Sequence, residues 1–342
     1  MITKYGTRPL AILIGARANR DHDGAKYDVI VPVKRRRTAA LLWGVCLCSS
    51  LCCAQDLSPR AYIITPIHSN AVVLTYSFYD GSVLFNGTLP ITNSAGRINV
   101  PVVSYFHTMN LFGRSASFTG SLPYGIGTFQ GDVAGVHTLA YRSGLLDSSF
   151  RFSVNLKGGP AMKVDEFRKW RQKAIIGASL KLVVPTGQYD PAKLINYGSN
   201  RWTFKPELGL SWRRGHWVSD AYGGGWFFTK NHDYFSNNAA KPNIQSEAPI
   251  GEFELHLSYD VKPRLWASID GNFWYGGRTS LNGIENVSTL QTSSRIGATC
   301  SVPIDKHQSV KFSYSNGAYA RFGGNFNNVP VAWQYSWLGK PN

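Results

Sequence analysis

The sequence predicts an all-β fold: a transmembrane antiparallel up-and-down β-barrel of twelve strands, fourteen at most, with one short periplasmic helix. Three observations predict it. Segments of about ten residues alternate apolar and polar side chains, which is the length of a strand that crosses a membrane. The links between these segments alternate short and long, and the chain ends on an amphipathic strand rich in aromatics. Composition agrees. Only 16% of the 342 residues are charged, against about 25% in ordinary soluble domains. Aromatics at 13% and 34 glycines suit pleated sheets better than helices.

The first element is a leader. Lys34-Arg35-Arg36-Arg37 precede an uncharged run from Thr38 to Leu51, then Cys52-Cys53-Ala54. A basic start, an apolar middle and small residues before a cut make a secretory signal, with cleavage after Ala54. The run is shorter than the ~20 residues of a spanning helix. Translation is expected to begin near Val33, read as an alternative start codon, so that residues 1–54 are an N-terminal extension plus signal peptide. Four of the five cysteines (Cys46, Cys48, Cys52, Cys53) lie here and only Cys300 elsewhere, which is no disulfide framework. Asp21-His22-Asp23-Gly24 lacks the downstream Glu of a calcium loop. The chain carries a formal charge of +16, and residues after Ala54 keep 27 Lys+Arg against 17 Asp+Glu, or +10. Scattered through an exported chain, this charge points to lipopolysaccharide or acidic solutes and not to nucleic acid.

Residues 55–70 are expected as a periplasmic segment, 71–337 as the barrel and 338–342 as a tail. Early strand candidates are Val72–Tyr79, Ser82–Leu89, Asn99–Asn110, Arg114–Leu122 and Val133–Tyr141, with Asp80-Gly81 reading as a two-residue hairpin turn. Phe150, Phe152, Val154 and Leu156 then alternate with Arg151, Ser153, Asn155 and Lys157. Met162 to Trp170 reads as a short helix, because Val164, Phe167 and Trp170 recur at three-residue spacing. It is expected as a packed surface helix, with covering the barrel mouth or lying on the membrane face as the alternatives. Ile176, Ala178, Leu180, Leu182 and Val184 oppose Ser179 and Lys181. Trp202, Phe204, Pro206, Leu208, Leu210 and Trp212 oppose Lys205, Glu207 and Arg213. Phe253, Leu255, Leu257, Tyr259 and Val261 oppose Glu252, Glu254, His256, Ser258 and Asp260. Leu265 to Tyr275 is irregular, since Trp266 and Trp274 share a face with Asp270 and Asn272. Val310, Phe312 and Tyr314 oppose Ser309, Lys311 and Ser313. The last strand sets Val329, Val331, Trp333, Tyr335 and Trp337 against Pro330, Ala332, Gln334 and Ser336.

A soluble sandwich also alternates. Aromatics at strand ends (Trp202, Trp212, Trp217, Phe228, Tyr259, Tyr275) favour membrane interfaces instead. Arg213–His216, Val261–Pro263 and Pro303–His307 are tight links. The long polar links 185–201, 229–249, 276–290 and 319–328 become external loops if the last strand ends in the periplasm. Lipid offers no partner to an unpaired backbone N–H, so the sheet has to close.

The stretch Val184-Pro185-Thr186-Gly187-Gln188-Tyr189-Asp190-Pro191, followed by Lys193 to Trp202 with Asn196, Asn200 and Arg201, and then Lys205-Pro206-Glu207-Leu208-Gly209, is distinctive. It resembles the transporter family named for the MetA pathway of phenol degradation. Gly144-Leu145-Leu146-Asp147, Asn231-His232-Asp233-Tyr234 and Gly276-Gly277 look similar to other landmarks of that family. The resemblance runs from about Asn70 to Trp337. It implies an exported barrel that passes small hydrophobic or aromatic compounds. Locally, Pro185, Gly187 and Pro191 end a strand and open a loop. Tyr189, Asn196, Asn200 and Arg201 continue that loop, and Trp202 re-enters the wall.

Alternation turns Lys205, Glu207, Glu252, Glu254, His256, Asp270, Arg295 and Lys311 toward the lumen, with Arg151 and Lys181. Such charges either pair and fill the interior or form a selectivity constriction. On the second reading, substitution of Arg295 or Glu254 alters ion selectivity. His256-Leu257-Ser258 has the spacing of a membrane lipid hydrolase, but both polar residues face the lumen while an acyl chain would lie outside. No Gly-x-Ser-x-Gly elbow or phosphate-cradling loop occurs, and Asn231-His232-Asp233 offers too few ligands for a metal. No cofactor is expected. The functional classes are a passive outer-membrane channel for small hydrophobic or aromatic compounds, a lipid hydrolase, and a structural barrel without transport. The expected partners are outer-membrane lipids and lipopolysaccharide, the permeating solute, and the barrel-assembly machinery reading the last strand.

Overall fold

The computed structural model describes residues 57–339 apart from 85–90, 134, 194 and 237–240. The leader with its cysteines, and the last three residues, lie outside the described residues. In chain order the strands are β1 (Ser69–Leu84), β2 (Ile91–Leu111), β3 (Arg114–Val133), β4 (Val136–Leu145), β5 (Ser148–Lys157), β6 (Ala174–Val184), β7 (Thr203–Arg214), β8 (Trp217–Phe228), β9 (Asn231–Tyr234), β10 (Asn243–Glu247), β11 (Ile250–Lys262), β12 (Leu265–Gly276), β13 (Thr279–Leu281), β14 (Ile284–Asn286), β15 (Gln291–Pro303), β16 (Gln308–Ala320) and β17 (Gly323–Leu338).

Twelve of them close an antiparallel barrel in the order β1, β2, β3, β5, β6, β7, β8, β11, β12, β15, β16, β17 and back to β1. The wall shuts where the first and last strands meet, from Ser69↔Leu338 to Leu84↔Gly323. β4 pairs with the outer half of β3, and β5 continues its path after a break at Leu146–Asp147. β9, β10, β13 and β14 form a separate four-stranded sheet at the long-loop end, inside segments expected as plain loops.

The faces are sorted as alternation requires, and in the sense that distinguishes a membrane barrel from a sandwich. Along β7, Lys205, Glu207 and Ser211 are buried while Leu208 is 63% exposed; along β12, Asp270 is buried and Ile269 is 64% exposed. A sandwich would bury its apolar faces; here they form the outside, where lipid solvates them. The irregular pattern of β12 has a cause inside the wall. Trp274 is buried in the interior with its indole N–H on Gln291 Oε1 at 3.1 Å, and the Trp266 ring lies 4.3 Å under the Arg60 guanidinium.

Asp80 and Gly81 do not turn the chain. β1 runs through them, pairing Gly81 with Phe326 on one side and Gly96 on the other. A Cβ on Gly81 would stand 2.2 Å from the Asn325 carbonyl oxygen, so this glycine permits close backbone approach. Residues 319–328, expected as a loop, are mostly the ends of β16 and β17. The β16–β17 ladder runs from Gln308↔Tyr335 to Phe312↔Val331, resumes only at Ser315↔Asn328, and is not continued beyond that pair. Pro330, in the gap, has no N–H to donate.

The expected helix is α1 (Val164–Lys169), one turn and a half long. Its Phe167 and the following Trp170 pack on buried Tyr62, Ile64 and Met162 at the short-turn end, so it covers the barrel mouth. Residues 57–64 lie within the wall: a Cβ added to Gly177 or Gly209 would meet the Tyr62 ring at 2.2 or 2.1 Å, and one added to Gly297 would meet Leu57 at 2.8 Å.

Candidate functional site

The lumen is built in layers. At the short-turn end, the chain before β1 is fastened to the wall. Arg60 Nη2 meets Asp260 Oδ1 at 2.7 Å, the Arg60 backbone N–H donates to Asp220, and the Ala61 N–H donates to the Tyr222 hydroxyl. Tyr62 donates its hydroxyl to Glu207 at 2.9 Å, with Arg151 over its ring.

Above this layer, β5, β6, β7, β8, β11 and β12 bring the predicted charges together. Lys205 Nζ lies 2.9 Å from Glu207, 2.8 Å from Glu252 and 3.0 Å from Glu254. Arg151 adds a contact to Glu207 at 2.8 Å. His256 sits between Glu254 at 3.3 Å and Asp270 at 2.9 Å, and Asp270 also accepts from Ser268 and Thr299. Trp226 donates its indole N–H to Glu252 at 2.6 Å. Arg295 is buried on β15 and donates to Ser315 at 2.9 Å. Burying so many charges costs free energy unless each is paired, and these carboxylates are held by cations and donors. Lys311 stands apart from the cluster, on β16, and lines an open cavity. Ser258 is buried in the same interior, but His256 turns its second nitrogen to Glu254.

The side of the lumen formed by β1, β2, β3, β16 and β17 is open. A cavity of 470 Å³ is lined there by hydroxyls, among them Thr75, Ser77, Ser104, Thr119, Ser121 and Ser313, with Lys181, Lys311 and Trp226. A recess of 190 Å³ between Arg151, Lys205, Glu207 and Glu254 adjoins it through Ser58, Thr119 and Lys181.

At the long-loop end the lumen turns apolar. Ile98, Val100, Phe129, Leu146 and Phe326 form a buried cluster with Tyr79, Val83, Ile195 and Tyr197 packed on it. Val183, Trp226, Ile250 and Trp274 form a second one. The loop 185–201 is folded by its own polar groups. Asp147 accepts from Gly187 N–H and Ser199 N–H, and Asn196 accepts from Asp190 N–H while donating to Asp190 and Lys193 carbonyls. Pro185 leads from β6 into this turn. Tyr189 donates to the Asp233 carbonyl, Asn200 (φ 52°) donates to Asn231, and buried Arg201 meets Glu247 at 2.5 Å with its guanidinium over Phe228. Trp202 is exposed on the outside of the wall. The loop-motif residues therefore shape a lid, and Tyr197 is what they lower onto the apolar cluster; Gly125 and Gly127 leave room for its ring.

Sequence reasoning missed Arg60, Tyr62, Tyr222 and the apolar layer. The layer did have a signal: Val100 and Val102 put apolar side chains on the face that should be wet. Arg60 and Tyr62 had none, because the 57–67 segment carries no periodicity.

A family model described as "Putative MetA-pathway of phenol degradation" matches residues 87–329. A comparison with curated proteins returns no match. Among solved structures, the COG4313 outer membrane channel from Pseudomonas putida F1 is similar at 17% identity, over 82% of this chain and 100% of that chain, with a TM-score of 0.68. The transport unit of the autotransporter AIDA-I from Escherichia coli is similar at 10% identity over 86% and 95%, TM-score 0.46. The β-domain of the Bordetella autotransporter BrkA is similar at 11% identity over 78% and 99%, TM-score 0.45.

Proposed function

The chain belongs to the family described as "Putative MetA-pathway of phenol degradation", and from that premise we propose that it is an outer-membrane channel for passive passage of small hydrophobic or aromatic compounds. The observation that carries this reading is the layered lumen, an apolar cluster standing over a hydroxyl-lined cavity. An apolar constriction sheds water and so impedes hydrated ions, while an apolar solute crosses it at little cost. Short turns face the periplasm and the long-loop lid faces outward, as in outer-membrane barrels generally. Lipopolysaccharide meets the lid end, and the aromatic β17 serves as the address for the assembly machinery.

The test is efflux of a labelled neutral aromatic solute from vesicles whose outer leaflet is lipopolysaccharide, with and without the barrel. Faster efflux with the barrel is expected, and more so when Phe129 and Phe326 are replaced by Ala. Equal rates with and without protein would remove the proposal.

A further inference from the structure

The charges predicted for the lumen do not all meet the same fate. Glu207, Glu252, Glu254 and Asp270 have side chains no more than 7% exposed, each tied to cations or hydrogen-bond donors. Two cations behave differently. Lys181 and Lys311 both line the 470 Å³ cavity, and neither makes an ion pair or hydrogen bond with any described residue. Lys181 only approaches the face of the Trp226 ring, at 5.6 Å.

Their places in the wall are informative. Around the twelve-strand ring, β6 and β16 are six strands apart, so Lys181 and Lys311 stand on opposite walls. Along the axis they are staggered. Lys181 is three residues from the outer end of β6, and Lys311 is three residues from the periplasmic end of β16. A solute coming through the apolar layer meets the first ammonium near the top of the cavity and the second nearer its periplasmic end. Between them the wall offers hydroxyls from Ser77, Ser104, Thr119 and Ser121.

An unpaired ammonium on a partly enclosed wall attracts an anion, more strongly at half-buried Lys181 than at the more exposed Lys311, where water screens the field. The carboxylates near the cavity are already committed to partners. We propose that this cavity binds amphipathic monoanions, carboxylates attached to an aromatic or other apolar body, and passes them from Lys181 to Lys311. The inference rests on the channel reading above and narrows its substrate class. The apolar body crosses between Ile98, Phe129 and Phe326, and the lysines offset the lost hydration of the head group. Selectivity then resides in these two side chains, and the buried Glu254 and Arg295 serve to hold the wall.

The test is single-channel recording, in a potassium chloride gradient, of the protein as isolated from expressing cells, with sodium benzoate or benzyltrimethylammonium added. The expected reversal potential favours anions, and benzoate reduces the current while benzyltrimethylammonium does not. In the Lys181→Met/Lys311→Met double variant the anion preference disappears and the half-blocking benzoate concentration rises about tenfold. The Lys181→Arg/Lys311→Arg variant, which keeps both charges, stays near the parent. Binding of labelled benzoate to the detergent-solubilised protein reads the same site without conduction. Equal action of both aromatic ions, or an unchanged Met variant, overturns the anion site and leaves the channel standing. A barrel that neither conducts nor releases aromatic solutes overturns both.

Discussion

Lys205 shows what a buried charge demands. One ammonium serves three carboxylates within 3.0 Å, and none of the four is open to water. Lys205→Met would strand Glu207, Glu252 and Glu254, at a cost of about 3–5 kcal/mol. The expected result is a lower urea midpoint in detergent and loss of the heat-modifiable gel band at lower temperature. Restoring neutrality with Glu252→Gln and Glu254→Gln in the same chain should recover much of the loss. A second case lies in the lid. The hydrogen bond to Lys193, helped by the Ala192 N–H, holds the Asp190 carboxyl below the ordinary carboxylate range. A depressed folded value means the contribution to loop order is complete above the ordinary carboxylate pKa and is lost as pH falls through the lowered one. The protection factor of the Ala192 amide, taken against the intrinsic exchange rate at each pH, is expected to fall in that acid window, and protection that persists through it would contradict the assignment. That Lys205 and its acids face inward was legible in the alternation. Which acid Lys205 chooses was not, because partners are fixed by cross-strand register.

Strands were legible wherever one wall was greasy and the other wet. From β5 to β12 the barrel strands lie close to the places that periodicity assigns, while β16 and β17 run on into the expected loop 319–328. Earlier strands blurred for a physical reason: β1, β2, β3 and β17 line the apolar layer, so Val100, Phe129 and Phe326 are apolar on the inward face as well. Glycine was the other source of error, since it signals both turns and tight approach. Gly177 and Gly209 are of the second kind, with the Tyr62 ring resting where their side chains would be. Their backbones are held by ladders on both sides, so Gly177→Ala or Gly209→Ala must displace the ring. Either change is expected to free residues 57–64 from Glu207 and raise single-channel conductance. Unchanged conductance in both would mean that this segment does not limit flow.

At the scale of the whole molecule, the greasy outside and the mostly wet inside of the wall follow from composition and period, while the same pattern left the strand count at twelve or fourteen and the closed ring has twelve. The filling of the lumen was not legible, because it is made by a segment without pattern and by side chains from strands far apart in sequence. The outer end of the wall carries one more consequence. Past Ser315↔Asn328 the strands β16 and β17 share no ladder. They are bridged by side chains instead, with the Tyr314 hydroxyl donating to Asn327 Oδ1 at 3.0 Å and Asn316 reaching the same oxygen. Phe326 stands on one lip of this slit. The upper rim is thus a split collar, clasped across the slit by a few asparagine and tyrosine contacts while β16 stays laddered to β15 and β17 to β1.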